Sequence, residues 1–294
     1  MAETGQTSMN ACGELDVKES VSEGAAIGRS DARPATKAGL FARLRMQWET
    51  ALEGSELYWY ASSAYYPSAT QIIPLLKKSA RGKLLDVGCG KMPFRKYIEG
   101  QVESYDGLDI ERRSPKTRFI ADAHDMGVIP TGSYDTVISI SALEHMARPW
   151  VAVREMRRVC RPGGLVVVCV PHMSRLHEEP HDYFRFSPYG LASLGQWAGL
   201  CVQKTQPAGG LFCMLGHQIS TIVLTLGWVI PLVRWFFFGL NYLLIVWPCV
   251  MLDRLLRSHL KFPMNVVAVY RVPDQDPLEG SMRDSPRGSD AETR

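Results

Sequence analysis

At 294 residues, 46% of them hydrophobic and 21% charged, the chain is long enough to bury one large α/β core or two smaller ones. A formal net charge of +3, with no dense basic run interleaved with aromatics, gives no support to a nucleic-acid-binding surface, and no nucleic-acid partner is expected. The seven cysteines stand singly, with no C-x-x-C and no His/Cys cluster at zinc spacing; this excludes a disulfide scaffold and points to reduced thiols in an intracellular compartment.

Residues 1–38 are acidic and polar with no apolar core segment, so they read as a disordered tail and not as a secretory signal. Residues 39–80 read as an N-terminal helical segment. Its aromatic stretch ELYWYASSAYYPS (56–68) places Tyr58, Tyr65 and Tyr66 as packing in preference to a lid. Apolar, β-rich runs follow at 83–88, 104–110, 117–122, 134–140 and 164–171, with two more at 200–207 and 265–272. The clearest intervening helix is PWVAVREMRRVC: Pro149 opens it, Trp150, Val153, Met156 and Val159/Cys160 form one stripe, and Pro162-Gly163-Gly164 end it. Strands alternating with helices predict a doubly wound parallel sheet, with LVVVCV as a central strand covered on both faces. Residues 274–294 read as a second disordered tail.

The first strand runs into DVGCG, where Asp86 precedes two glycines, Gly88 and Gly90. Ligands of such sheets lie at the carboxyl ends of the strands, and a turn without side chains lets backbone approach them closely. Alone, the pair fits a simple strand-to-helix turn. It is joined by Asp109, 19 residues beyond Gly90 at the end of the next strand, where a carboxylate accepts ribose hydroxyls, and by Asp122 with Ala123 at the end of the third. Together the three signals point to a nucleoside cofactor. A nicotinamide site fits poorly, because Pro93 stands where the third glycine belongs and no Tyr-x-x-x-Lys occurs; Gly90-Lys91-Met92 is no P-loop either.

In order, LLDVGCGKMPF, GLDI, ADAHD, YDTVISISALEHM and VCRPGGLVVVCVPH resemble the successive motifs of class I S-adenosylmethionine-dependent methyltransferases of the type 11 kind, over about residues 80–208 and 265–272. The resemblance implies an α/β, Rossmann-like sheet of seven strands, the last one antiparallel and inserted between strands five and six. It implies S-adenosyl-L-methionine as cofactor. Asp86, Gly88 and Gly90 would wrap its methionine part, Asp109 and Ile110 its ribose, Asp122 and Ala123 its adenine, and Ser139 and Ile140 the floor near the sulfonium. Lys91 departs from a glycine many members carry. The units are then a cofactor-binding core at 81–208, an apolar insert at 209–264 and the last strand at 265–273.

A hydroxyl or ammonium acceptor needs a group to take its proton. His145, in ALEHM after the fourth strand, and His181 with Asp182, in the loop after the fifth, are the candidates. The plainer reading of Glu144-His145 is structural, and that of the loop is a solvated segment held by an Asp182–Arg185 pair. His177 and His181 stand at i, i+4 but without a third ligand, so no metal is expected.

The insert carries two uncharged runs, 211–233 and 235–252, split by Arg234. Each approaches bilayer-spanning length. A strand of the sheet follows, so the insert crosses a membrane twice or not at all. Arg254, Arg257 and Lys261 behind it, against Arg234 at its tip, favour a hairpin on the cytoplasmic face of a membrane; a buried helix pair forming a lid or dimer surface is the competing reading. The expected function is methyl transfer to a small-molecule, lipid or lipid-linked glycan acceptor at a membrane surface. The alternative is a non-catalytic, cofactor-binding scaffold that recruits a partner through the insert.

Overall fold

Seven strands form one sheet in the order β3-β2-β1-β4-β5-β7-β6. They are β1 (Lys83–Val87), β2 (Ser104–Asp109), β3 (Thr117–Ile120), β4 (Tyr134–Ile140), β5 (Cys160–Pro171), β6 (Cys201–Ala208) and β7 (Asn265–Arg271). The computed structural model describes residues 39–274, so the two tails read from the sequence lie outside the described residues, Asp274 apart. β1 pairs in parallel with β2 and β4, and β4 with β5, while β7 runs antiparallel between β5 and β6. This is the topology that the resemblance implied.

Alternation along the strands divides the core. Leu85, Val137, Val166 and Val168 face α4 (Pro149–Val159) and α5 (Pro188–Trp197), which supply Ala152, Val153, Met156 and Leu191. Leu84, Ile138, Val167 and Val267 face the other side, covered by Trp59, by Ile73 and Leu76 of α2 (Ile73–Ser79) and by Ile98 of the short α3 (Arg95–Ile98). Burial of both faces of β5 explains its unbroken apolar run. Gly195 lets α5 lie on β7, since a Cβ there would strike the Tyr270 ring, whose hydroxyl donates to Leu191 O at 2.6 Å.

Two sequence expectations change. Trp150 does not join the buried stripe of α4; it stands 39% exposed, edge-on to Phe184, and Ala152 takes its place in the core. Pro162-Gly163-Gly164 does end α4, but as an irregularity inside β5, which already begins at Cys160 opposite Tyr134.

The insert is a helical hairpin. α6 (Leu211–Gly227) returns through α7 (Arg234–Asn241) and α8 (Trp247–Leu256), which one π turn joins into a continuous helix over Arg234–Leu256. α6 packs along its length on α1 (Leu40–Leu52) and the segment after it. Trp48 Nε1 donates to Thr225 Oγ1 at 3.2 Å, Ser62 Oγ meets His217 Nδ1 at 2.6 Å, and Ser63 Oγ donates to Cys213 O at 2.6 Å. These contacts tether α6 to the N-terminal segment along its inner face. Asp253 ties the base: buried, it accepts backbone N–H groups from Gly210, Phe212 and Cys213 and the Ser258 hydroxyl. Met264 N–H then donates to Gly209 O at 3.0 Å, closing the neck where the insert leaves and re-enters the sheet.

Candidate active site

The chain leaves β1 through Gly88 and Gly90, whose φ angles of +70° and +50° lie where glycine is free of strain. The two glycines answer different demands. A Cβ on Gly88 would strike the Ala142 side chain beyond β4, so this glycine lets two strand-end turns pack. A Cβ on Gly90 would meet no protein atom within 4 Å, so here bare backbone faces open space. Gly90 N–H donates to Asp109 Oδ2 at the end of β2, 2.8 Å away. Asp109 is buried, and its Oδ1 has only a 3.5 Å contact from Glu111 N–H, which leaves acceptor capacity for a diol.

Asp86 sits under this turn instead of lining it. It shares a face with Leu84, is buried, and accepts the Tyr105 hydroxyl at 2.6 Å. Burial, reinforced by the charge of Asp109, raises its carboxyl to about 7 even though the Tyr105 bond opposes the rise. Ile110 is 68% exposed beside Asp109. After β3, Ala123 is buried and Asp122 is exposed; Asp122 accepts His124 N–H at 2.8 Å and bonds the His124 ring, whose Nε2 accepts Arg148 N–H. Ser139 is wholly buried on β4, and its hydroxyl has no hydrogen-bond partner among the described residues; Ile140 is half-buried next to it. Ser141 then takes a φ of +52°, a strained turn for a residue with a Cβ.

The loop after β5 folds back over the end of β4, where Tyr183 and Phe184 N–H groups both donate to Glu144 O. This brings Glu144, His145 and His177 together. Glu144 Oε1 lies 3.7 Å from His145 Nε2 and 3.7 Å from His177 Nε2, and the two rings meet edge-on at 4.7 Å. The Glu144 carboxylate raises His177 above the ordinary imidazole value.

The other two predicted catalytic groups are differently engaged. Asp182 receives both Arg185 Nη groups, at 2.6 and 2.7 Å, and His177 N–H at 2.9 Å; chiefly through Arg185, its carboxyl is held far below the usual range. So stabilised as an anion, it orders the loop and is a poor base. His181 turns its ring to Tyr183 Oη at 2.8 Å and contributes only its carbonyl, which accepts His145 Nδ1–H at 2.7 Å. His177 therefore finds its partners in Glu144 and His145, not in His181. That grouping was open to inference, because β4 and β5 are neighbours and both loops leave their carboxyl ends.

A family model described as a methyltransferase domain matches residues 85–168, the stretch that holds the glycine turn, Asp109, Asp122 and Glu144-His145. Residues 85–168 are a class I S-adenosylmethionine-dependent methyltransferase domain.

Similar curated proteins include the 27-O-demethylrifamycin SV methyltransferase of Amycolatopsis mediterranei, 29% identical over 127 residues, 36% of this chain and 47% of that one. Another is a ubiquinone biosynthesis O-methyltransferase of Thiobacillus denitrificans, 26% identical over 148 residues, 40% of this chain and 64% of that one. The chain thus spans about half to two thirds of the length of these relatives. Among solved structures, a SAM-dependent methyltransferase from Archaeoglobus fulgidus aligns with a TM-score of 0.46 and 16% identity, over 77% of this chain and 98% of that one.

The residues of the methyltransferase domain fit the family's cofactor, S-adenosylmethionine. Gly90 offers backbone without a side chain, and Asp109 offers free acceptor positions next to it. Lys91, the departure from the family pattern, reaches back to Glu53 Oε2 at 2.8 Å and so ties the N-terminal segment to the turn. Arg175, in the loop after β5, is depressed by burial and by Arg45, and is offset by Tyr65 and Glu49. This mixed-charge group was not singled out from the sequence.

Proposed function

We propose that the chain transfers the methyl group of S-adenosylmethionine to an amphiphilic small-molecule acceptor at the cytoplasmic face of a membrane. The observation that carries the reading is the bond from Gly90 N–H to Asp109, which sets bare backbone and a diol-accepting carboxylate side by side at two neighbouring strand ends. A bound sulfonium supplies an already activated methyl carbon, so the protein's part is to align the acceptor and exclude water. Asp109 grips the ribose, Gly88 and Gly90 admit the amino-acid end, Asp122 and Ala123 border the adenine, and Ser139 and Ile140 form the floor. His145 and His177 stand at the acceptor side, where Nε2 is the atom to receive a proton from an acceptor hydroxyl. Oxygen is the favoured acceptor atom because two relatives are named for O-methylation.

Support for an amphiphilic acceptor comes from the insert. Leu215, Ile219, Ile222 and Leu226 form one exposed stripe on α6, and Phe236, Leu240, Leu243 and Trp247 another on the returning helix. Only 17% of the apolar window of Arg234–Leu256 is buried, whereas a core helix is mostly covered. Tyr65 packs against His217 on the inner side of this hairpin and interacts electrostatically with Arg175 of the loop after β5, which links the base of the hairpin to the acceptor side.

Calorimetry with S-adenosylhomocysteine tests the cofactor site: the wild type binds with one-to-one stoichiometry, and Asp109→Ala weakens binding at least tenfold with unchanged circular dichroism. Labelled methyl transfer into membrane lipid extracts tests the reaction. Binding without any labelled product favours the scaffold function, and no binding overturns the site.

A further inference from the structure

We propose that Glu144, His145 and His177 form a three-ligand site for a divalent ion of the zinc type, at the carboxyl ends of β4 and β5. The proposal leaves the cofactor site as read above but replaces the proton-accepting role of His145 and His177, because an Nε2 lone pair bound to a metal cannot also take a proton.

Glu144 is wholly buried, yet neither of its carboxylate oxygens has a hydrogen-bond partner among the described residues. A buried carboxylate left so is costly unless something positive meets it. Both nearby imidazoles are oriented to help. His145 Nδ1 lies 2.7 Å from the His181 carbonyl, and His177 Nδ1 lies 3.1 Å from the Arg175 carbonyl. A carbonyl only accepts, so each Nδ1 carries a hydrogen and Nε2 is the ring nitrogen left to face Glu144. Asp182 stands 3.4 Å behind His177 Nδ1, the carboxylate–histidine arrangement that orients a metal-bound imidazole.

The spacing agrees. Ligand atoms of the three residues all lie within 4.8 Å of one another, and both Glu144–His separations are 3.7 Å. Tetrahedral ligands about 2.1 Å from a zinc ion stand roughly 3.4 Å apart, so the two Glu144–His separations need a few tenths of an ångström of inward movement and the widest separation in the set needs about 1.4 Å, within reach of a side-chain rotation. Two imidazoles and one carboxylate suit zinc and its first-row neighbours better than magnesium or calcium, which prefer all-oxygen sets. Three protein ligands leave a coordination position for water or an oxygen-bearing ligand, which is the arrangement of catalytic rather than structural zinc.

The alternative occupant of the same carboxylate is a proton-bearing His177 in a simple ion pair, and a metal titration separates the two. The full-length protein is stripped with chelator and titrated with zinc chloride by calorimetry, and cobalt(II) is added in parallel to read coordination from its visible bands. One equivalent is expected to bind, with His177→Gln and His145→Gln each weakening it at least tenfold and His259→Gln, which is outside the cluster at the base of the hairpin, leaving it unchanged. Glu144→Gln is a poor primary test because a buried change there threatens folding; the two histidine variants keep the proposal decidable. Absence of one-to-one binding in the wild type, or wild-type affinity in both histidine variants, overturns it. Retained S-adenosylhomocysteine binding in those variants shows that a loss of zinc is not a loss of fold or of the cofactor site.

Discussion

Asp86 is an acid placed where its charge is disfavoured. With Tyr105 as its hydrogen-bond partner and Asp109 nearby, burial lifts its carboxyl from 3.8 to about 7. The native state therefore holds a proton there that the unfolded chain releases near pH 4. Stability from the neutral form is complete below about pH 4 and is lost as pH rises toward 7, a change of roughly 4 kcal/mol at most. Melting temperature is thus expected to fall between pH 4 and pH 7, and Asp86→Asn should flatten that slope; an unchanged slope counts against the buried carboxyl as its source. At this scale the sequence was informative where a residue type has one backbone or acceptor use, as with Gly88, Gly90 and Asp109. It was silent on Asp86 being under the turn, since burial depends on which face of β1 it takes. It likewise left His177 without partners, because the fold-back of the β5 loop onto Glu144 is set by distant hydrogen bonds and not by i, i+4 spacing.

Among the elements, all seven strands were legible, because each apolar run is bounded by turn residues and two-sided burial leaves β5 without polar interruption. Less legible was the bulge at Arg161–Gly164, where residues that normally stop a helix continue as strand. The hairpin was visible as two apolar runs, but its anchor was not: Asp253 lies 40 to 43 residues from the amides it caps. With three N–H groups, two of them buried, and one hydroxyl depending on it, Asp253→Ala should cost about 3 kcal/mol in urea unfolding, and Asp253→Asn less. A loss below 1 kcal/mol would mean that the amides find other acceptors.

For the molecule as a whole, the hairpin confers an apolar flank far beyond the scattered surface leucines of ordinary chains. Trp235 and Trp247 along it, with Arg254, Arg257 and Lys261 at its base, match a helix pair lying in the headgroup region. The full-length protein is expected to float with vesicles containing phosphatidylglycerol. Phe236→Lys together with Leu243→Lys should reduce that binding at least tenfold while leaving the melting temperature unchanged, since both side chains are already exposed and each contributes about 1.5–3 kcal/mol on burial. Wild-type protein that stays with the aqueous fraction and runs as a dimer would make the flank a subunit contact instead.

The seating of β7 between β5 and β6 fixes an order of events during synthesis. The strand that bridges them is the last to leave the ribosome, and all of the hairpin precedes it. Until then the edge of β5 has no neighbour on that side and β6 has none at all. The greasy helices thus meet water, lipid or α1 before the sheet beneath them is finished, and closure of the fold waits on where they settle.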